Sequence, residues 1–397
     1  MLRIILTASL QVLSGFTRDK LPIGNLKSAI LTPMLIHSRR IVLAATFCVL
    51  VFLPLRLVPQ SKEIQLFPVV KDGSWGYIDS AGKIIITPQF ESVGHFHDGL
   101  ARAVESGKVV FIDRTGKIVL RPEFQIVEEF SEGLAAVNNG QKRIPNVGII
   151  SEPGRWGYVD TTGKLAIPLK FTHAESFSEG LAAVAEGDRS GFIDHTGRIL
   201  FDVPLDVTLG FHEGVVGALF HGSVTYFDNT GKKLATPPID YGPKSNSFSE
   251  GLVAVGTKGK FGYVDKTGKM VIAASFEDGE DFSEGLAAVR MPVELSWCPQ
   301  DDSGSRVGST KKWGYIDESG RMVIPAHFEY AGPFVEGLAG VSNCSKSGFI
   351  DKTGKLVIPL QFDEAFAFHG GLAQVYLRDG RMGYIDKTGK TVWPPSK

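Results

Sequence analysis

The sequence has few of the residues on which metal sites and disulfide scaffolds depend, and it lacks the excess of basic residues that binds polyanions. Its 397 residues include only 3 Cys and 9 His, too few for a disulfide-rich scaffold. Lys and Arg number 42 against 43 Asp and Glu, so the formal net charge is -1 and no global positive field favours a polyanion. Nucleic acid is therefore not expected as a partner.

Motifs of the common enzyme classes are also missing. The sequence contains no Gly-x-Ser-x-Gly, His-Glu-x-x-His, Gly-x-Gly-x-x-Gly or phosphate-loop pattern. The closest His pair, His95 and His97, has no Cys or further His at metal-ligand spacing. We therefore expect no catalytic residue, no metal site and no cofactor. An enzyme would need a site assembled from unpatterned residues.

One long apolar run occurs, at residues 41–55, directly after Ser38-Arg39-Arg40. It is short for a bilayer span, which needs about 20 residues, and is typical of the apolar core of a secretory signal. We interpret residues 1–60 as a targeting segment whose true start is Met34, and we expect export to the periplasm, the cell envelope or the medium. No small-x-small cleavage site follows the run, so an uncleaved membrane anchor formed by residues 41–55 stays the alternative.

The residues in excess are Gly, 46 in number, and Phe, 26 in number, which indicates many turns near aromatic anchors. Over residues 62–397 a core of aromatic, apolar residue and Asp recurs nine times. The nine Asp are Asp79, Asp113, Asp160, Asp194, Asp228, Asp265, Asp317, Asp351 and Asp386. The commonest spacing between them, 34 residues, is typical of solenoids, propellers and other repeat arrays.

Each unit alternates with period two, which predicts strands rather than helices. Trp75-Gly76-Tyr77-Ile78 predicts a first strand, and Asp-x-x-Gly-Lys, as at Asp351 to Lys355, predicts a hairpin turn. A second strand follows and usually ends at a Pro. The segment Gly-Leu-Ala-x-Val, as at Gly133 to Val137, predicts a third strand that is apolar on both faces. We interpret the nine Asp as turn residues rather than metal ligands, because all nine occupy the same turn position.

An apolar residue follows most of these Asp by eleven positions, and a Phe by seventeen. We predict that these Phe are core anchors. They are Phe96, Phe130, Phe177, Phe211, Phe282, Phe334 and Phe368.

Taken together, these residues resemble the WG-repeat proteins of bacteria, whose unit is roughly Trp-Gly-Tyr-Ile-Asp, Gly-Lys, Ile-Pro, Phe and Glu-Gly-Leu-Ala. The match covers residues ~64 to 395. The namesake dipeptide itself is present only at Trp75-Gly76, Trp156-Gly157 and Trp313-Gly314, and Val110 and Thr225 replace its Gly in two units. The resemblance implies an all-β array with no established catalytic residues.

Two architectures suit nine units of three antiparallel strands. We expect an open β-solenoid-like array, because propellers typically have four to eight blades of four strands. The alternative is a closed, propeller-like toroid. In that case the strand at 65–71 and the strands at 382–393 would complete one shared blade.

The expected function is a non-catalytic, extracytoplasmic binding module whose partner is a protein. The alternatives are a cell-wall or carbohydrate binder and an enzyme with an unrecognised site. We expect membrane contact only through the N-terminal segment.

Two insertions, residues 139–155 and 291–312, lengthen the same connection in two units and should emerge at one edge as turn-rich, exposed segments. Trp297 in the second is the expected partner anchor, since Trp is enriched among binding hot spots. Cys298 and Cys344 fall in the same connection of consecutive units, which predicts a disulfide.

Overall fold

A computed structural model describes residues 64–140, 143–144, 148–149, 154–203, 207–208, 210–220, 223–235, 248–297 and 308–397. The expected targeting segment, residues 1–60, lies outside the described residues. Chain contacts divide the protein into Met1–Gln60 and Ser61–Lys397, and the second unit holds all of the described residues. Throughout these described ranges the secondary structure is β only, so none of them forms a helix that could cross a membrane.

The strands of the described residues form nine antiparallel sheets, which we call blades 1 to 9 in chain order, and one separate two-stranded hairpin. Blade 1 consists of β1 (Phe67–Lys71), β2 (Ser74–Ile78) and β3 (Ile84–Phe90), and blade 2 of β4 (Ser92–His97), β5 (Leu100–Glu105), β6 (Lys108–Asp113) and β7 (Ile118–Leu120). Blade 3 consists of β8 (Ile126–Val127), β9 (Leu134–Asn138), β12 (Trp156–Asp160) and β13 (Leu165–Phe171), with a separate small hairpin of β10 (Arg143–Ile144) and β11 (Gly148–Ile149). Blade 4 consists of β14 (His173–Ala174), β15 (Ala182–Glu186), β16 (Arg189–Ile193) and β17 (Ile199–Asp202).

Blades 5 to 9 follow the same order. Blade 5 consists of β18 (Val207–Thr208), β19 (Val215–Phe220), β20 (Ser223–Asp228) and β21 (Lys233–Ala235), and blade 6 of β22 (Leu252–Thr257), β23 (Lys260–Asp265) and β24 (Met270–Phe276). Blade 7 consists of β25 (Asp278–Ser283), β26 (Leu286–Trp297), β27 (Gly308–Asp317) and β28 (Met322–Phe328), and blade 8 of β29 (Tyr330–Val335), β30 (Leu338–Asn343), β31 (Lys346–Asp351) and β32 (Leu356–Phe362). Blade 9 consists of β33 (Glu364–Ala365), β34 (Leu372–Tyr376), β35 (Met382–Asp386) and β36 (Thr391–Ser396).

A blade is a four-stranded meander, and in the described residues only blades 1 and 6 have three strands. The prediction of three strands per unit was therefore wrong. The additional strand is the first of its blade. It lies between the strand that ends at a Pro and the Gly-Leu-Ala strand, where it is as short as Ile126–Val127 and shows no alternation to detect. It pairs with the Gly-Leu-Ala strand that follows it, so each blade begins in one sequence unit and ends in the next.

First strands of neighbouring blades contact each other, as β25 and β29 do, so they lie on the inside of the array. The blades are joined by an aromatic pair at every boundary, with ring centroids 4.7 to 5.6 Å apart. The nine pairs are Tyr77–Phe96, Phe111–Phe130, Tyr158–Phe177, Phe192–Phe211, Tyr226–Phe248, Tyr263–Phe282, Tyr315–Phe334, Phe349–Phe368 and Tyr384–Phe67.

The ninth pair joins blade 9 to blade 1 and closes the array into a ring. Tyr384 also donates a hydrogen bond of 3.0 Å to the carbonyl oxygen of Pro68, and Ser396 donates one of 2.6 Å to that of Val70. The prediction of an open array was wrong, and the closed, propeller-like alternative is right. The termini do not share a blade: blade 1 packs on blade 9 face to face, with Phe67 in the place of the usual inter-blade Phe.

Close approach of two strands explains the Gly of the Trp-Gly dipeptide. A Cβ on Gly157 or Gly314 would lie 2.5 Å from the carbonyl oxygen of a residue in the next strand, and the ladder shifts register at this point. With Gly314 the fourth strand runs for seven residues, Met322–Phe328. In blade 2, where Val110 replaces the Gly, it has only three, Ile118–Leu120. Gly is therefore needed for a long outer strand.

Candidate functional site

The meander places the connections of every blade on two sides of the ring. On the side that we call the turn face lie the turns from first to second strand, such as Glu132-Gly133, and from third to fourth, such as Asp160 to Gly163. On the opposite side, the connection face, lie the links from second to third strand, such as Ser106-Gly107, and the links between blades.

All nine repeated Asp lie in the turns between third and fourth strands. In each turn one carboxylate oxygen accepts hydrogen bonds from the backbone N–H groups two and four residues later, as Asp351 does from Thr353 at 2.9 Å and Lys355 at 3.1 Å. The Thr353 hydroxyl donates to the same oxygen at 2.6 Å and, together with these N–H groups, lowers the pKa of Asp351. One carboxylate oxygen of each Asp is thus engaged in the turn, which accounts for the repetition of the Asp without a ligand.

A second acidic residue recurs in the two-residue turns between first and second strands. Glu132 has a φ of 55° and Gly133 one of 82°, as in type I′ turns, although a non-Gly residue with positive φ costs about 1 to 2 kcal/mol. The carboxylate of Glu132 accepts a hydrogen bond of 3.0 Å from the N–H of Gly180, in the same turn of the next blade. The contact helps to offset the strain of the turn.

This bond between neighbouring blades occurs seven times, and we call the set the acidic latch. Its carboxylates belong to Asp98, Glu132, Glu179, Glu213, Glu250, Glu284 and Glu336. In the last blade Gly370 takes the place of the acid, and the Gln65 amide ahead of β1 lies where its Cβ would be. The latch therefore ends where the ring closes.

Lysines complete the latch in several blades. Lys387 lies 3.0 Å from the Glu336 carboxylate and also donates to its backbone carbonyl oxygen. Partial burial alone would raise the pKa of Glu336, but Lys387 and the N–H of Gly371 lower it overall. The hydrogen bonds to the next blade account for the repetition of these carboxylates without a bound ligand.

His95 and His97 lie in the first strand of blade 2. His97 is 3.3 Å from the carboxylate of Glu129 and 51% exposed. Within the ranges that the structure describes, no group of three or more His, Cys, Asp and Glu is arranged to hold a metal ion.

The connection face varies from blade to blade. In blade 2 its second and third strands are joined by the tight turn Ser106-Gly107, whereas blade 7 extends the same two strands into a long hairpin. The ladder of that hairpin runs from Leu286↔Asp317 to Trp297↔Gly308. The expectation of a turn-rich second insertion was therefore wrong for residues 291–297 and 308–312, which form strands. A signal was present, because Met291, Val293 and Leu295 alternate with other residues.

The predicted anchor Trp297 is the last described residue of β26, and it pairs with Gly308. Cys344 lies in the tight turn of blade 8 with a φ of 50° and is disulfide-bonded. Cys298, its predicted partner, lies outside the described residues, so the pairing stays a prediction.

The base of the hairpin is fixed to blade 8 by a buried charge. Lys312 is only 7% exposed, and its ammonium group lies 3.3 Å from the carboxylate of Glu329. The other oxygen of that carboxylate accepts a hydrogen bond of 2.8 Å from the N–H of Cys344. One carboxylate thus links the blade 7 hairpin to the tight turn of blade 8.

An open cleft of about 470 Å³ lies on the connection face between blades 8 and 9. Its floor includes the backbone at Gly332 and Gly340. Its walls include the side chains of Tyr330 and Phe366, which are 54% and 50% exposed. Sequence reasoning missed both aromatics, although they fall outside the Phe positions of the repeat and could have been found by that departure.

Comparison with known proteins identifies the repeat but no curated relative. The model of the WG containing repeat matches residues 75–108, 111–142, 156–189, 261–291, 313–343 and 348–380. No curated protein matches the sequence.

Among solved structures, one titled "Crystal structure of the eukaryotic initiation factor" is similar with a TM-score of 0.57 and 13% identity, over 83% of this chain and 95% of that chain. At that identity the likeness concerns the fold alone. The structure of Kluyveromyces lactis Hsv2p matches with a TM-score of 0.36 and 10% identity, over 55% of this chain and 75% of that one.

Proposed function

Because this chain is a WG-repeat protein, we propose that it is a non-catalytic binding module that acts outside the cytoplasm and holds a protein partner on its connection face. The observation that carries the proposal is the contrast between the two faces. On the turn face the same hydrogen bonds recur from blade to blade, whereas the connection face bears the blade 7 hairpin, the blade 3 insertion and the cleft between blades 8 and 9.

Protein binding suits these features because loops on a rigid repeat scaffold vary without cost to the core. The extracytoplasmic location rests on the apolar run at residues 41–55 and its basic flank. The disulfide at Cys344 is consistent with it, since disulfides persist mainly in oxidising compartments.

A glycan is the second candidate ligand, and the two half-exposed rings of Tyr330 and Phe366 favour it, because such rings stack on sugars. The experiment is capture from solubilised envelope material with the full-length chain as bait. Protease treatment of the envelope material before capture should abolish capture, and glycosidase treatment of that material should not. Sensitivity to glycosidase alone would replace the protein partner by a glycan.

A further inference from the structure

The cleft between blades 8 and 9 has an equivalent between blades 2 and 3, and the differences between the two clefts indicate its ligand. Between blades 2 and 3 the same cleft is about 630 Å³ and is lined by residues at matching repeat positions. Arg102 stands there in the place of Gly340, and Glu128 in the place of Phe366. The chain thus supplies its own guanidinium to that cleft, together with the carboxylates of Glu128 and Glu129.

Blade 7 holds a different arginine against a carboxylate and an aromatic ring of its own strands. Arg290 stands in the place of Ser342, on the same face of the second strand as the position of Gly340. Its guanidinium lies 3.5 Å from the carboxylate of Asp278 and 5.7 Å from the ring centroid of Trp313. Carboxylate and aromatic ring together therefore hold an arginine side chain at this place in the repeat.

Blade 8 has neither arginine, because both positions carry small residues, Gly340 and Ser342. The residues in the places of Asp278 and Trp313 are Tyr330 and Ser347, and the cleft takes its carboxylates, Asp363 and Glu364, and its second ring, Phe366, from the chain that leads into blade 9. Asp363 is paired with Lys346 at 2.8 Å, whereas Glu364 has no ion pair or hydrogen bond through its side chain among the described residues. No Lys, Arg or His lines this cleft in the part of the chain that the structure describes.

We propose that the cleft between blades 8 and 9 binds an arginine side chain of the protein partner. Its guanidinium pairs with Glu364 and stacks on Tyr330 or Phe366. Arginine suits the site better than lysine, because its planar guanidinium stacks on rings and bonds a carboxylate through two N–H groups. The proposal rests on the proposed function, to which it adds the chemical group that is recognised.

The test uses the full-length chain and a blocked Gly-Arg-Gly peptide, with the citrulline peptide as its neutral isostere. Calorimetric titration should show binding of the arginine peptide and at least about tenfold weaker binding of the citrulline peptide, since charge-assisted contacts are lost. Glu364→Gln and Gly340→Arg should each weaken binding by about tenfold, the second by supplying the guanidinium internally. Glu128→Gln, in the cleft between blades 2 and 3, should leave it unchanged.

Equal binding of the two peptides, or undiminished binding after Glu364→Gln, would overturn the proposal. A preference for the corresponding Gly-Lys-Gly peptide would also overturn it. So would binding of chitotriose, a glycan probe, with no binding of the arginine peptide or the citrulline peptide. If Gly340→Arg does not fold, Glu364→Gln decides the outcome. Capture of an envelope protein without peptide binding refutes only the cleft, whereas peptide binding without capture refutes only the proposed function.

Discussion

The turn face and the connection face are built from the same repeats, but they use the recurring residues differently. On the turn face an Asp accepts the same backbone hydrogen bonds in all nine blades, as Asp79 does from Ala81 and Lys83, each at 2.9 Å. On the connection face the link between second and third strands ranges from a two-residue turn to a hairpin that reaches Trp297.

The difference shows where to look for function in a repeat ring. A residue that recurs in every blade is accounted for by turns, inter-blade bonds or core packing, and such a residue is not a candidate site. Residues that depart from the repeat, such as Tyr330 and Gly340, carry the information on ligands.

The largest effect on stability is expected from an inter-blade aromatic pair, because the packing of the blades supports both faces. Phe334 is fully buried, and its ring centroid lies 4.9 Å from that of Tyr315. Phe334→Ala should reduce the free energy of unfolding by about 3 to 5 kcal/mol, measured by urea denaturation. Tyr330→Ala, in the same strand but 54% exposed in the cleft, should change it by less than about 0.5 kcal/mol. Similar losses in the two variants would contradict the assignment of Phe334 to the core.

The next effect concerns the Gly of the repeat. A Cβ on Gly314 would lie 2.5 Å from the carbonyl oxygen of Ile324, so Gly314→Ala should cost about 1 to 3 kcal/mol through displaced backbone. Gly332→Ala is the matched control, because its Cβ would meet no atom closer than 3.4 Å. The thermal unfolding midpoints of the two variants should differ accordingly. A large shift for the control would show that the close approach is not the reason for the Gly.

The turn face could be predicted from the sequence, because the same Asp-x-x-Gly turn motif recurs nine times at a nearly regular spacing. Asp113 and Asp160 lie at the turn position that their neighbours Gly116 and Gly163 indicate. Ring closure could not be predicted in this way. It depends on Phe67 replacing an inter-blade Phe beside Tyr384, a contact between the two ends of the repeat region.

The cleft was missed for a different physical reason. Tyr330 belongs to one sequence unit and Phe366 to the next, and they meet only because a blade begins in one unit and ends in the following one. The sequence does not reveal the short first strands, so the offset between sequence units and blades could not be recognised. Comparison of equivalent positions across the units would have singled out both rings, but not their proximity.

A smaller effect should follow acidification of the turn face. The Ser319 hydroxyl and the backbone N–H groups of the turn lower the pKa of Asp317 to about 2, below the ~3.9 of an unfolded Asp. The carboxylate therefore stabilises the folded chain above pH ~4, and this stability is lost as the pH falls towards 2. Urea denaturation of Asp317→Asn should show a shallower loss over that range than the parent. The same slope for both would mean that the turn carboxylate does not contribute.

Removing both insertions from the connection face should change stability least and function most. Replacing residues 293–310 by a two-residue turn keeps Lys312 and its ion pair with Glu329. Replacing residues 141–153 likewise keeps the bond of 2.7 Å from the Arg155 N–H to the Asn139 side chain. Because the described residues of the removed segments lie outside the inter-blade core and shorter loops cost less to close, the free energy of unfolding should differ by less than about 0.5 kcal/mol from that of Cys344→Ser, which also lacks the disulfide.

Capture of the envelope partner should be lost in this double variant, since Trp297 and the hairpin are removed. Cys344→Ser in the otherwise intact chain is the control, because it removes the disulfide and leaves the hairpin in place. Loss of capture in that control as well would assign the effect to the disulfide. Full capture by the shortened chain would place the contact on the blades, and binding of the arginine peptide by the same variant would then show whether the cleft between blades 8 and 9 is sufficient by itself.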